Sequence, residues 1–159
     1  AGTIEAHEIP AKPLDPYSYY NGDFIALEKA HLNKGWKLVD NWHPDNKAGK
    51  RNGFVDVPML EATRPGDRLT LDFQGKAIGI FCVSGPSAGI LEYSVDGAPF
   101  KELDTFTEWS HNLYIPWVYI LETELKDMDH KLVLRISKKK NPASQGTECQ
   151  IRNFVVNGR

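Results

Sequence analysis

Cysteine is scarce in this chain. Cys82 and Cys149 are the two among 159 residues, and no Cys-x-x-Cys pair occurs, which excludes a thioredoxin-like redox motif and a zinc ribbon. Both lie in apolar, strand-like runs and read as small buried thiols; a disulfide stays open only if those runs are neighbours. Charge of one sign is equally lacking. Nineteen basic against 21 acidic residues leave a net charge of −2, so no global field draws in nucleic acid or an anionic membrane. No apolar run exceeds strand length, and no bilayer span is expected. No signal-peptide pattern opens the chain at Ala1, which leaves export open.

Catalytic signatures are missing as well. There is no Gly-x-Ser-x-Gly elbow. Gly66-Asp67-Arg68-Leu69 has the outline of a GDSL block, but Arg68 stands where the nucleophile belongs, so a turn leading into a strand is expected. Asp127 and His130 have the Asp-x-x-His spacing of an acid and base, again without a nucleophile block before them. The five histidines (7, 31, 43, 111 and 130) are scattered, none at the i, i+4 spacing of a zinc helix. No glycine-rich phosphate loop occurs. Asp40, Asp45 and Asn46 could lend oxygens to a calcium ion, yet no EF-hand pattern surrounds them; a solvated polar loop is expected, with no cofactor. Ser137-Lys138-Lys139-Lys140 formally contains Ser-x-x-Lys and reads as a basic strand end. The isolated chain is therefore expected not to be an enzyme.

What is present is a β pattern. The length suits one domain, which buries roughly two-thirds of its unfolded surface without a metal or disulfide staple. Residues 1–35 hold Pro10, Pro13 and Pro16 and read as an irregular linker or wrapping arm, with a short helix over 23–31 placing Phe24, Leu27 and His31 on one face. Residues 36–159 read as the domain, with strands over 36–42, 54–60, 67–73, 76–84, 89–95, 99–103, 113–121, 130–137 and 149–156. Leu69, Leu71 and Phe73 alternate with Arg68, Thr70 and Asp72; Leu132, Leu134 and Ile136 alternate in the same way. Asp96-Gly97 is a strong hairpin signal. Eight or nine strands at this spacing define an all-β fold, an antiparallel β-sandwich or jelly roll.

If consecutive strands run antiparallel, loops 61–66, 85–88, 104–112 and 138–148 gather at one end, and loops 43–53, 74–75, 96–99 and 123–128 at the other. Long polar loops on a rigid scaffold are where function concentrates. An aromatic ring covers the apolar face of a sugar while polar groups satisfy its hydroxyls. Trp109, Ser110, His111, Asn112, Lys139 and Asn141 are accordingly the candidate ligand-binding residues, with Trp109 as stacking platform; the plain alternative is that Trp109 caps the core. Trp42, His43, Arg51 and Asn52 form a rival site at the opposite end. Trp36, and one of Trp117 and Tyr119, are expected in the core.

Two stretches carry a resemblance. Residues 68–80 (RLTLDFQGKAIGI) are similar to the "LxFxGxxIGI" core of galactose-binding-like jelly rolls attached to SGNH/GDSL-type esterases. Residues 85–97 (GPSAGILEYSVDG) resemble that family's "GPDAGxxEYxIDG" segment, with Ser87 in place of Asp. Trp109-Ser110, Leu113–Trp117 and Asn141–Ser144 extend the likeness over roughly 35–157. The resemblance implies a carbohydrate-binding-type accessory module, with the esterase's Ser, Asp and His in a separate domain of the same parent chain. It also implies an oligo- or polysaccharide ligand and a bacterial, secreted or periplasmic, polysaccharide-degrading setting. The alternative is a structural domain that packs on the esterase domain and shapes its cleft without binding sugar.

Overall fold

The computed structural model describes residues 8–158; the arm's residues 1–7, with His7, lie outside them. Eleven strands form two antiparallel sheets. In chain order they are β1 (Gly22–Ile25), β2 (His31–Lys34), β3 (Lys37–Trp42), β4 (Val57–Ala62), β5 (Arg68–Gly75) and β6 (Ala77–Ser84), followed by β7 (Ile90–Val95), β8 (Lys101–Asp104), β9 (Ile115–Glu122), β10 (Met128–Ile136) and β11 (Cys149–Asn157). The first sheet runs β3-β4-β11-β6-β9, with β1 beside the far half of β11; the second runs β2-β5-β10-β7-β8. The β-sandwich expected from the sequence is therefore the fold. No helix among the described residues is long and apolar enough to cross a membrane.

The alternating strands place their apolar residues as their period requires. Leu69, Leu71 and Phe73 of β5, with Leu132, Leu134 and Ile136 of β10, face Leu60, Ile78, Ile80, Cys82, Ile151 and Phe154 of the first sheet across one core. Ile151 and Phe154 are three apart, a spacing that strict alternation would send to opposite faces. The register of β11 against β6 shifts between Ile151 and Asn153. That extra residue returns Phe154 to the core. Trp36 is buried and Tyr119 packs against the core, whereas Trp117 is half exposed. Cys82 and Cys149 are free, buried thiols; burial pushes Cys82 up to about 12 and raises Cys149 as well.

Two expectations are corrected. Residues 23–31 form no helix: Phe24 belongs to β1, Leu27 opens a single 3-10 turn (Leu27–Lys29), and His31 starts β2. The chain uses this stretch to hand one strand to each sheet, β1 on β11 and β2 on β5. Those two strands raise the count from eight or nine to eleven. Leu27 and Ala30, between them, turn into the core. Loop 43–56 does not stay at the end where β3 stops. It folds back over the outer face of the first sheet as a flap, and its Ala48, Phe54 and Val55 pack on the cluster of Trp42, Met59, Val83 and Tyr114 there. The apolar content of the loop decides this: Phe54 lies edge-on to Phe81, with ring centroids 5.3 Å apart.

Candidate ligand-binding groove

The four loops expected together do meet, loop 61–66 through Thr147 Oγ1, which donates to Thr63 O at 2.8 Å. Gln145 N donates to Pro86 O at 2.9 Å, Glu148 N to Ser87 O at 2.8 Å, and Thr105 N to Gly89 O at 3.1 Å. Ser144, buried, donates its hydroxyl to Ala88 O at 2.7 Å. The flap arrives at this same end. Gly49 N donates to Asn112 O at 2.7 Å, Tyr114 N donates to Gly49 O at 2.8 Å, and Asn46 Nδ2 donates to the Tyr114 hydroxyl at 2.7 Å. Tyr114 lies edge-on to Trp42, with centroids 5.4 Å apart.

Between flap and loops lies a cleft of about 440 Å³, floored by Trp42 and Tyr114 and walled by Asn46, Glu61, Glu148 and Gln150. Its size falls in the roughly 300–1,000 Å³ range of small-ligand sites. Asn46 also borders a second hollow of about 220 Å³, lined by Lys47, Pro86, His111, Asn112 and Gln145. Gln150 pairs with Glu61 across β11 and β4, which puts both side chains on the outer face. Glu61 accepts from Trp42 Nε1 at 3.1 Å and pairs with Lys37 Nζ at 2.9 Å. Burial, reinforced by the nearby Glu61 carboxylate, raises the Glu148 pKa against the lowering effect of Gln150, whose amide donates to it at 3.3 Å. The groove thus presents carboxylates and amides, the donors and acceptors that vicinal hydroxyls need.

The candidate residues named from sequence divide. His111 and Asn112 border the second hollow. His111 packs edge-on against Phe106. Trp109, two residues upstream, is 54% exposed and does not cap the core. Ser110 is buried and accepts from Thr107 N at 3.0 Å, fixing the turn. Lys139 and Asn141 are held elsewhere, on the β8 carboxylates: Lys139 Nζ on Glu102 at 2.6 Å and Asn141 Nδ2 on Asp104 at 2.6 Å. Of the rival set, Trp42 and His43 line the cleft, with His43 Nδ1 3.0 Å from Asp56. Arg51 and Asn52 are exposed in the turn behind it and line neither hollow. The rival site is therefore not at the opposite end; the flap carries half of it into the same groove. Asn46, expected in a solvated loop, is the residue the two hollows share. Among the described residues no three His, Cys, Asp or Glu side chains converge as a metal site.

Glu61, Tyr114, Glu148 and Gln150 were not singled out by sequence. The available signal was Glu61 between apolar Leu60 and Ala62, and Glu148 and Gln150 flanking Cys149: polar residues in the outward phase of two strands. Because burial holds Glu148 at a cost, Glu148→Gln should leave thermal stability unchanged or higher. If Glu148 accepts ligand hydroxyls, the same change weakens binding about tenfold or more, read by calorimetry beside a melting curve.

No family model matches the chain, and no curated protein is detectably similar in sequence. Solved structures share the fold. A two-domain esterase active on acetylated mannans, co-crystallised with mannopentaose, superposes with TM-score 0.69 at 17% identity, over 98% of this chain and 41% of that one. A family two carbohydrate esterase from Cellvibrio japonicus gives 0.52 at 12% identity, over 87% and 34%. An exo-β-1,3-galactanase from Phanerochaete chrysosporium, solved with galactose, gives 0.53 at 11% identity, over 85% and 29%. The chain thus spans well under half the length of these carbohydrate-active enzymes, and what it shares with them is the fold.

Proposed function

We propose that this chain is a non-catalytic carbohydrate-binding-type module that works joined to a carbohydrate-esterase domain, in a secreted or periplasmic setting. The observation that carries the reading is the pair of hollows on either side of Asn46, one lined by Glu61, Glu148 and Gln150 and the other by Asn112 and His111, with exposed Trp109 close by in the chain. Amides and carboxylates there suit hydroxyl groups, and Trp109 offers a ring face to a pyranose. The carbohydrate-active neighbours support the ligand class. The GDSL-like block supports a non-catalytic role: Gly66 sits at positive φ and Asp67 is buried, its carboxylate accepting from Arg64 N at 3.1 Å, so the segment is a turn into β5.

An open groove buries little of a ligand, so affinity is expected in the weak, high-micromolar to millimolar range. Titration calorimetry against a panel of neutral and acidic glycans is the test. Trp109→Ala should weaken binding about tenfold, in line with the 1–3 kcal/mol an aromatic contact contributes. Absence of binding by every glycan removes the reading; unchanged binding in Trp109→Ala removes the stacking role alone.

A further inference from the structure

The first sheet has a second apolar stretch on its outer face, at the end away from the groove. The flap covers one half of that face. The other half is bare among the described residues: Phe24, 59% exposed, stands with Tyr19, Val118 and Ile120 around a shallow hollow of about 280 Å³, floored by Ala77 and Val155. Two of these residues belong to β9, an edge strand of the sheet, which among the described residues pairs only with β6. Edge strands in soluble proteins are usually blunted by charge, proline or a covering element. Pro116 blunts the start of β9, and Glu122 at its end is held by Lys101 at 2.6 Å. From Trp117 to Leu121 the strand carries no charge at all, and Trp117, Val118 and Ile120 are all exposed.

The course of the chain indicates what covers this face. Ser18 O accepts from Asn157 Nδ2 at 3.0 Å, and Gly158 N donates to Asn21 O at 3.3 Å. Lys76 Nζ donates to Pro16 O at 3.2 Å. The incoming segment and the last described residue therefore lie side by side, and Tyr19 and Asn157 themselves border the hollow. A domain joined after Gly158 leaves from the rim of the apolar face, and one joined before the chain reaches that rim through the segment that precedes Ser18.

We infer that the Phe24–Val118–Ile120 face and the β9 edge dock a globular domain covalently joined to this chain. Magnitude favours that occupant over a second copy. A stable interface between free partners takes about 800 Å² from each, more than four side chains and a strand edge provide. A covalent tether makes docking intramolecular, with an effective concentration up to the order of millimolar, where a small apolar face suffices. The inference rests on the part of the proposed function that joins the chain to another domain, and is independent of whether sugar binds.

Hydrogen exchange over β9 tests it, compared between residues 1–159 alone and the polypeptide its gene encodes. The amides of Trp117–Leu121 that point away from β6 should exchange at least tenfold more slowly in the longer polypeptide, and the pair Val118→Lys and Ile120→Lys should abolish that slowing. Equal exchange in the presence of an adjoining folded domain overturns the inference. So does the absence of such a domain, or protection in 1–159 alone that grows with concentration and marks a second copy. Glycan titration of the isolated lysine variant keeps the two readings separable: its affinity should match that of the unaltered chain, because the groove lies at the other end of the sandwich.

Discussion

Replacing His130 should cost about 2–4 kcal/mol, the sum of lost charge-assisted hydrogen bonds and the space its ring leaves, and should also flatten the dependence of stability on pH above neutrality. His130 is buried at the start of β10. Its Nδ1 lies 2.6 Å from an Asp96 carboxylate oxygen and its Nε2 lies 2.7 Å from the carbonyl oxygen of Lys126. A carbonyl and an ionised carboxylate only accept, so both ring nitrogens must donate, and the ring is an imidazolium. Burial works against that charge, and the Lys126 carbonyl together with Asp96 outweighs it, raising the pKa above the usual 6.5. Asp96 moves the opposite way: the bonds from His130 and from Lys131 N hold it below 3.8. The pair joins two turns, because Asp96 and Gly97 form the β7–β8 hairpin with φ of 52° and 77° while Lys126 belongs to the β9–β10 connection.

The sign follows from linkage. A histidine whose folded pKa is raised contributes fully below its unfolded value and loses that contribution as pH rises through the folded one. A carboxylate whose folded pKa is lowered contributes fully above its unfolded value and loses it as pH falls. The pair is therefore strongest between about pH 4 and 6.5. Urea midpoints measured from pH 5 to 9 should fall above 6.5 in the unaltered chain and stay level across that step in His130→Gln and in Asp96→Asn. The same slope in His130→Gln as in the parent would remove the imidazolium from the account. Asp127, the partner that the Asp-x-x-His spacing offered, is not the residue that meets this ring.

The contrast between Asp127 and Asp96 marks where the sequence could be read and where it could not. Strand identity is local: Leu69, Leu71 and Phe73 announce an inward face by alternation alone, and Asp96-Gly97 announces its turn because both residues must adopt positive φ. The end at which loops 85–88, 104–112 and 138–148 gather follows from counting reversals of direction. What was not legible depends on pairing between distant segments. Gln150 opposite Glu61 is a matter of register between β11 and β4, and the shift after Ile151 hides that register by breaking the alternation. The flap has no period to detect, since an irregular segment buries Trp42 and Phe54 through its route and not through a repeat. Residues 23–31 looked helical because Phe24, Leu27 and His31 are spaced for it, yet two short strands satisfied the backbone of both sheets where one helix would have satisfied only itself.

Tyr114 is the residue on which the flap and the groove both depend, and Tyr114→Ala should cost about 3–5 kcal/mol, the usual toll of truncating a buried aromatic. Its ring is buried against Trp42, its hydroxyl holds Asn46, and its backbone takes Gly49 O. Burial raises the phenol pKa and the Asn46 amide acts against that rise, so the hydroxyl stays neutral and can accept from Asn46 near pH 7. Gly85 makes room for the ring: a Cβ there would stand 2.1 Å from Tyr114 Cε1, so Gly85→Ala should displace Tyr114 without removing it. Loss of stability alone would not single out the flap, so the discriminating measurement is local. Lys47, Lys50 and Arg51 are trypsin sites within it, and under folded conditions Tyr114→Ala and Gly85→Ala should be nicked there at least tenfold faster than the parent, with glycan affinity lost in parallel. Tyr114→Phe isolates the hydroxyl: it should cost only about 1 kcal/mol and free Asn46, weakening binding with little change in melting temperature. If nicking is no faster in Tyr114→Ala, then Trp42 and Phe54 hold the flap by themselves, and Tyr114 belongs to the groove's floor and not to its hinge.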